Sequence, residues 1–518
     1  MSASAVSGCD QILVDSPTAA RLGAAAFEPD SPLGRQLLPL GITHVTIGVG
    51  SLKETLVLKV RPGALVAQGG PEALRSNLKK LPQWADAGEP ELAVNWSARS
   101  VGREDPRFNA QRRTFEQANV PPAWERIRRI PVPPVAVAVI DTGVRSTHPD
   151  LTHQMWSRGP GDRAHGQNFS GGALEDTDDR AGHGTEVAGV LASESDNGEG
   201  IASIPWRDHV RIVIAKFEEL PGSGCTQDLI NAIDYAANDA RAPILNLSVG
   251  LEEYSAHLKS ELELLAANNP RTLIVAAVSN ADIDLDAPGA HDYPTDYRLP
   301  NVISVQGSNC CGGSFHTAYG ATSVQLAAPA DDVQTTSLTR EGYCSDPGTS
   351  MAAPQVSATA ALIIGFAPQW NYSQVRQYLI DSARNPACGR PGTPLDDTSL
   401  CGRSESGGIL NVDAATGGPI VIDLPFEGAS WSRGSSHTLH WHELFATEMC
   451  PQLQTLLSTD DGRSWQDLTS DPQVAQTRDM KAKVRLPPDV RRTHEARIAL
   501  RCVKTARLER WSDRFEIR

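Results

Sequence analysis

Three residues in this chain are of the types that together perform nucleophilic catalysis, and they follow one another as Asp141, His183 and Ser350. Ser350 lies in residues 348–354 (GTSMAAP), where small residues allow a sharp entry into a closely packed helix. The unpaired N–H groups at a helix start stabilise a developing oxyanion. A lone Gly-Thr-Ser more often reflects tight packing alone, so the assignment of Ser350 as a nucleophile depends on its two partners.

The first partner, Asp141, ends an apolar run at residues 135–140 that is typical of a central parallel strand. The C-terminal ends of such strands are where sites form in open α/β sheets, although capping of a turn is an equally good interpretation of this Asp alone. The second partner, His183, stands between two glycines before an apolar helical pattern. A helix start is expected to lower the pKa of a His and suit it to general-base work; taken alone, such a His is more often structural.

The three stretches together resemble the motifs of the subtilisin-like serine proteases, or subtilases. They are residues 139–143 (VIDTG), 182–189 (GHGTEVAG) and 348–354 (GTSMAAP), in the chain order Asp, His, Ser that is known for subtilisin. The resemblance implies a serine endopeptidase in which His183 takes the proton from Ser350 and Asp141 orients the imidazole. It implies that no cofactor is needed for the chemistry.

Residues 276–280 (AAVSN) resemble the subtilase segment that carries the oxyanion-hole Asn. The resemblance implies that the Asn280 amide and the Ser350 backbone N–H bind the oxyanion. The family pattern is Gly-Asn, and Ser279 stands here in place of the Gly. Glu186, where the family commonly has His, is expected to leave the triad untouched.

Another stretch resembles the edge strand that pairs with an extended substrate, an instance of β-augmentation. Leu251 follows it where the family usually has a second Gly, and we expect it to narrow the primary specificity pocket toward smaller side chains. The predicted substrate-binding residues are Leu247, Ser248, Val249 and Gly250.

Between the His and Ser motifs, apolar strands alternate with helices, which predicts a parallel sheet with helices on both faces. The expected fold class is therefore α/β with a subtilisin-like sheet, together with a small α+β N-terminal region and a C-terminal all-β sandwich. The predicted strands are 135–140, 210–215, 243–248, 272–277 and 302–305, and the predicted helices are 227–239, 261–269 and 372–382.

A chain of 518 residues is expected to form two or three domains. We predict an N-terminal extension at 1–104, a catalytic domain at 105–417 and a C-terminal module at 418–518. In the extension, a strand at 55–64 and a helix at 71–81 resemble a subtilase propeptide, with processing expected between 96 and 105; a merely structural extension is the alternative.

The C-terminal module shows short alternating strands and an Asp-Gly hairpin turn at 461–462. It resembles small immunoglobulin-like modules of secreted bacterial proteins, and its length suits a β-sandwich. Binding of a surface or partner through this module is the rival function from another class. An esterase is disfavoured because Ser350 lacks a Gly-x-Ser-x-Gly motif.

The net charge of −15 argues against nucleic acid or an anionic membrane as a partner and does not identify a substrate. The family resemblance implies protein or peptide substrates. We expect an exported monomer. We also expect no transmembrane span, because no apolar stretch approaches about 20 residues. Residues 6–9 (VSGC) resemble the end of a lipoprotein signal. Cys9 would carry a lipid anchor if the true start lay upstream; an ordinary Cys is the preferred interpretation.

The nine cysteines include no Cys-x-x-Cys pair, which argues against structural zinc. We predict disulfides Cys388–Cys401 and Cys450–Cys502, as expected of an exported protein. The alternating acids at 282, 284 and 286 lack the Gly and Glu of a calcium loop, so no metal ligands are predicted there and the loop is expected to be solvated. Structural calcium elsewhere is implied by the family, without a location.

Overall fold

A computed structural model of the protein describes four strands of the N-terminal region and most of the chain from residue 105 onward. The described residues are 11–15, 42–47, 55–60, 91–92, 105–130, 132–310, 312–385, 388, 399–417, 420–425, 429–443, 453–469, 481–502, 509–512 and 514–518. The chain divides into two compact units, residues 1–99 and 100–518.

The first unit contains an antiparallel sheet with the strand order β2-β3-β1-β4. The predicted strand in 55–64 is confirmed as β3. The helix predicted at 71–81 and the processing segment at 96–104 lie outside the described residues. The strands are β1 Gln11–Asp15, β2 Ile42–Ile47, β3 Thr55–Val60 and β4 Glu91–Leu92.

The second unit is built on a seven-stranded, all-parallel sheet with the order β11-β10-β9-β8-β5-β7-β6. The prediction of a parallel sheet is confirmed. Its strands are β5 Val135–Asp141, β6 Gly166–Asn168, β7 Val210–Lys216, β8 Ile244–Leu247, β9 Leu273–Ala277, β10 Val302–Ser308 and β11 Leu326–Pro329. A two-stranded ribbon, β12 Val333–Thr336 and β13 Tyr343–Asp346, follows the sheet.

Helices cover both faces of this sheet, as predicted. Before the C-terminal region they are α1 Phe108–Gln117, α2 Val120–Ile127, α3 His183–Ala192, α4 Thr226–Asp234, α5 Ala256–Asn268, α6 Thr349–Phe366, α7 Tyr372–Ala383 and α8 Val412–Gly417.

Strand β5 shows why two cores form, because successive side chains of a strand point to opposite faces. Val137 and Val139 pack in the core that contains α6, whereas Ala138 and Ile140 pack in the core that contains α4 and α5. Burial on both faces accounts for the uninterrupted apolar run that precedes Asp141. The carboxylate is thereby fixed at the C-terminal edge of the sheet.

Helix α6 is the most deeply buried helix around the site. In the described part of the chain it alone is long and apolar enough to cross a membrane, and 89% of it is buried inside the protein. It packs against α3 and against strands of the central sheet. The helices that begin at His183 and next to Ser350 are therefore neighbours.

The C-terminal region is β-rich. A three-stranded sheet (β14-β16-β19) and a larger sheet (β15-β22-β20-β17-β18, with β21 on β20) share one apolar core. The predicted hairpin is present, since β17 pairs with β18 in antiparallel fashion. The strands are β14 Ile420–Leu424, β15 Ser430–Trp431, β16 Ser436–Glu443, β17 Leu453–Ser458, β18 Gln466–Asp467, β19 Lys481–Arg485, β20 Thr493–Cys502, β21 Glu509–Trp511 and β22 Phe515–Ile517.

Within the second unit, ion pairs join this β-rich region to the region that contains the parallel sheet. Asp461 lies 2.9 Å from Arg129 and 2.7 Å from both Arg497 and Arg514. Arg497 also lies 2.9 Å from Glu125 on α2. A second bridge centres on Asp413 of α8, which pairs with Arg126 at 2.6 Å and with Arg510. Each of these two aspartates, at the contact between the two regions, therefore forms ion pairs with at least two arginines.

Candidate active site

Asp141 and His183 form a close pair at the C-terminal edge of β5. The Nδ1 of His183 lies 2.8 Å from Oδ1 and 3.1 Å from Oδ2 of Asp141. The backbone N–H of Thr142 also donates to the Asp141 carboxylate, at 2.8 Å. The Asp141 side chain is fully buried. The imidazole is therefore held by its Nδ1, which leaves Nε2 for other chemistry.

The start of α3 is fixed by a residue that the sequence did not single out. The buried carboxylate of Asp179 accepts hydrogen bonds from the backbone N–H groups of Gly182 and Thr185, both at 2.9 Å, and from the Thr185 hydroxyl. Gly184 has to be Gly, because a Cβ there would lie 2.1 Å from the carbonyl oxygen of Gly143. This packing brings the His helix onto the strand that carries Asp141.

The expectation that the helix start lowers the pKa of His183 is wrong. The negative charge of Asp141 raises it, against the opposing effect of burial, and the hydrogen bond to Asp141 raises it further. A carboxylate in direct contact outweighs the partial charge of a helix end. His183 therefore holds its proton more tightly than an ordinary imidazole.

Two further carboxylates, Glu186 and Asp346, also raise the pKa of His183. Glu186 is half-buried, and burial followed by the charge of Asp346 raises its own pKa to about 6. Its carboxylate accepts from the thiol of Cys344 at 3.6 Å. The expectation that Glu186 leaves the triad untouched is thus wrong electrostatically. The sequence signal for Glu186 is an acidic residue one helical turn after His183. No sequence signal places Asp346 near the imidazole.

Ser350 lies in the first turn of α6, directly after Thr349. Its hydroxyl donates to the carbonyl oxygen of Ser248 at 3.3 Å, and the Ser248 hydroxyl donates to the carbonyl oxygen of Ser350 at 2.9 Å. The preceding Gly348 has φ of 129°, a conformation that favours Gly, and a Cβ there would lie 3.3 Å from Asn280. The sharp entry into the helix is as the sequence predicts.

Asn280 is joined to the same helix start. Its Oδ1 accepts hydrogen bonds from the backbone N–H of Thr349 at 3.0 Å and from the Thr349 hydroxyl at 3.1 Å. With Oδ1 engaged in this way, the amide N–H₂ of Asn280 is directed away from Thr349. Ser279, in place of Gly, leaves Asn280 beside the nucleophile segment.

The four predicted substrate-binding residues divide into two pairs. Leu247 and Ser248 are buried, and Ser248 is tied to Ser350 as described. Val249 is partly exposed and Gly250 exposed, immediately after β8. Leu251 pairs with Tyr293 through two backbone hydrogen bonds of 2.9 Å. The exposed part of this stretch is what remains accessible to an extended chain.

One buried acid beside this stretch escaped the sequence analysis. Asp292 is 3% exposed, and its carboxylate accepts from the Ser279 backbone N–H at 2.8 Å. The acidic loop before it is not merely solvated, because Asp282 pairs with Arg403 and Asp286 with Arg298. A single Asp before a Tyr-Pro turn gives no periodic signal, so its burial could only come from the tertiary structure.

The predicted disulfide Cys388–Cys401 is present. Cys450 lies outside the described residues, so Cys450–Cys502 stays a prediction. No group of three or more His, Cys, Asp or Glu side chains comes together as a metal site in the described part of the chain. Calcium binding stays a prediction.

Comparison with known proteins bears on the identity of this fold. Residues 134–413 match the family model of the peptidase S8 subtilase family. The alkaline protease of Alkalihalobacillus alcalophilus is 33% identical over 287 residues, which cover 54% of this chain and 64% of that protein. Subtilisin Savinase of Lederbergia lenta is 33% identical over 287 residues, which cover 54% of this chain and 90% of that protein.

A solved protease structure from Pseudoalteromonas arctica overlays with a TM-score of 0.49 and 24% identity, over 61% of this chain and 98% of that one. The family match spans more than half of the chain and includes all three motif stretches. The chain belongs to the subtilase family of serine endopeptidases.

Proposed function

We propose that this protein hydrolyses peptide bonds in proteins or peptides through an Asp141-His183-Ser350 triad and an acyl-enzyme intermediate. The observation that carries the proposal is the two-oxygen contact of the Asp141 carboxylate with Nδ1 of His183, on a helix packed against the one that bears Ser350. This contact fixes the imidazole tautomer with Nε2 as the base. Family membership supports the same reaction.

The steps follow from the groups present. His183 takes the proton of the Ser350 hydroxyl as the oxygen attacks the peptide carbonyl, and Asp141 stabilises the imidazolium that forms. The Asn280 amide and the Ser350 backbone N–H bind the oxyanion of the tetrahedral intermediate. His183 then protonates the leaving amine, and a water molecule, activated by the same base, releases the acyl group.

In this structure the Ser350 hydroxyl donates to the Ser248 carbonyl oxygen instead of His183. Catalytic hydrogen bonds in free enzymes are often long or poorly aligned and tighten in the substrate complex. A rotation of the hydroxyl toward His183 on substrate binding is therefore part of the proposal. Residues 248–250 then pair with the substrate backbone.

The test of the triad is Ser350→Ala. We expect peptide hydrolysis to fall by about 10⁶-fold, as for the nucleophile of subtilisin, and fluorophosphonate labelling to disappear while the thermal transition is kept. Ser345→Ala, a change of an exposed serine five positions earlier, is the matched control and should be labelled normally. Labelling of the Ser350→Ala variant at another residue would contradict the assignment.

The wider proposals concern the whole chain. Residues 1–104 act as a propeptide, the mature enzyme is an exported monomer, and residues 418–518 form an immunoglobulin-like module able to bind a surface or partner. N-terminal sequencing of active protein tests the first of these. A new N-terminus between residues 96 and 105 supports it, and an active enzyme that retains Met1 contradicts it.

A further inference from the structure

Asp292 joins the two segments that flank the proposed nucleophile. One oxygen, Oδ2, accepts from the Ser279 backbone N–H at 2.8 Å. The other, Oδ1, lies 3.0 Å from the point that a Cβ on Gly250 would occupy. The carboxylate thus sits between Gly250 on one segment and Ser279 on the other, and only the absence of a side chain at 250 leaves that oxygen room.

Both segments are anchored on the start of α6. Ser248, two residues before Gly250, exchanges two hydrogen bonds with Ser350. Asn280, directly after Ser279, accepts from Thr349. A substrate side chain that enters between these segments, from a peptide bond held at Ser350, would meet the Asp292 carboxylate.

This carboxylate is buried without a compensating charge. Among the described residues Asp292 forms no ion pair with Lys, Arg or His, and the charged group that acts on it is another acid, Asp296. Burial, with a smaller contribution from the charge of Asp296, raises the pKa of Asp292 from 3.8 to about 7, against the opposing effect of the Ser279 hydrogen bond. Asp296 is itself engaged by His291 at 3.1 Å. A buried carboxylate in this state is costly unless a cation joins it.

We propose that Asp292 is a specificity-determining residue that selects a substrate Lys or Arg side chain immediately before the cleaved bond. The inference rests on the proposed endopeptidase function and names its substrate class. A basic side chain would supply the positive charge that Asp292 lacks within the described residues, and at Gly250 there is no side chain to crowd Oδ1. The expectation that Leu251 narrows this pocket toward smaller or shallower side chains is the alternative, and the peptide series below distinguishes the two.

The test uses one peptide sequence with Arg, Lys, Gln, Leu or Ala before the cleaved bond. We expect kcat/KM to be at least tenfold higher for Arg and Lys than for Gln, which is of similar length but neutral. Asp292→Asn keeps the size and an acceptor for Ser279, and should lower the Arg/Gln ratio at least tenfold. Asp296→Asn removes the same charge from the same loop and should leave the ratio within about twofold.

Two outcomes separate this inference from the proposed function. A wild-type enzyme that is labelled at Ser350 but cleaves the Gln, Leu or Ala peptide as well as the Arg peptide overturns the specificity and keeps the protease. A folded mature enzyme that is neither labelled nor active on any peptide overturns both.

A binding measurement tests the charge preference of the site independently of turnover. The Ser350→Ala protein should bind p-aminobenzamidine, an amidinium probe, and the Asp292→Asn change in that background should weaken binding at least tenfold. Equal binding by the two proteins overturns the inference. If the Asp292→Asn variant does not fold, the wild-type preference between Arg and Gln decides alone.

Discussion

Buried carboxylates have opposite electrostatic environments in two regions of this protein. At the contact between the parallel-sheet region and the C-terminal region, Asp461 is surrounded by Arg129, Arg497 and Arg514. Beside the proposed nucleophile, Asp292 has one backbone N–H and no cation among the described residues. Burial pushes the pKa of both carboxyl groups upward. At Asp461 the arginines outweigh it and hold the pKa well below its usual range.

This difference in charge compensation distinguishes a carboxylate with a structural role from one with a functional role. Where a carboxylate stabilises the fold, its charge is compensated within the chain, because an uncompensated buried charge costs several kcal/mol. Where the compensation is missing next to a reactive residue, the site is set up for a ligand that brings the opposite charge. The C-terminal region is accordingly an integral part of the second unit, held by charges that the parallel-sheet region partly supplies.

The largest effect should come from removing Asp461. Asp461→Asn leaves Arg129, Arg497 and Arg514 facing one another, and we expect the free energy of unfolding to fall by about 3–5 kcal/mol. Asp292→Asn should instead leave stability unchanged or raise it at neutral pH, because it removes an uncompensated charge. Urea denaturation in a Ser350→Ala background, which prevents self-digestion, measures both. Equal losses in the two variants would remove the distinction between these carboxylates.

The pH dependence of stability should differ in sign between the two sites. The raised pKa of Asp292 means that its proton is held more tightly in the folded chain, so its contribution is present below about pH 4 and is lost as the pH rises through about 7. The lowered pKa of Asp461 gives the reverse, a contribution present above about pH 4 and lost as the pH falls.

Urea denaturation of the Ser350→Ala protein across this pH range checks both signs. Asp292→Asn should remove a fall of roughly 3 kcal/mol between about pH 4 and pH 7, and Asp461→Asn should remove the loss on the acid side. Asp296 is the titratable group that acts on Asp292, so Asp296→Asn is the control for its charge. An unchanged profile in the Asp292→Asn variant would contradict the raised pKa.

The smallest effect should come from Gly250→Ala. The added Cβ would lie 3.0 Å from Oδ1 of Asp292 and displace the carboxylate by a few tenths of an ångström. We expect the Arg/Gln ratio of kcat/KM to fall roughly fivefold, about 1 kcal/mol. In the Asp292→Asn background the same change should have little effect on the ratio, since coupled residues are not additive. If the two changes instead lower the Arg/Gln ratio independently, so that their effects multiply in the double variant, Gly250 acts through another contact.

Much of the fold was predictable because burial imposes a pattern on the sequence. The apolar run before Asp141 required a strand covered on both faces, and strand β5 meets that requirement. In the C-terminal region the short alternating strands that the sequence predicts are present, as in β14 and β17. The predicted helix at 227–239 is interrupted, since α4 ends at Asp234 and a π-helical turn follows from Tyr235 to Asp239.

The candidate site was predictable only in its motifs. The types and order of Asp141, His183 and Ser350 follow from the sequence, and the direction of the His183 pKa does not, because it depends on a carboxylate 42 positions away in the chain. Asp292 was not predictable as a site residue, since nothing local distinguishes it from the other acids of its loop. Its surroundings come from Gly250 and Ser279, on other segments.

The sequence by itself determined which residues carry reactive groups, which segments are buried on both faces, and where Gly is needed beside the nucleophile. Only the tertiary structure decided which charges meet. Hydrophobic periodicity is a local property that a strand or helix must satisfy along its own length. The strength of a charge interaction depends on distance and burial in three dimensions. For this reason Asp461 and Asp292, alike in the sequence, have opposite electrostatic environments in the folded protein.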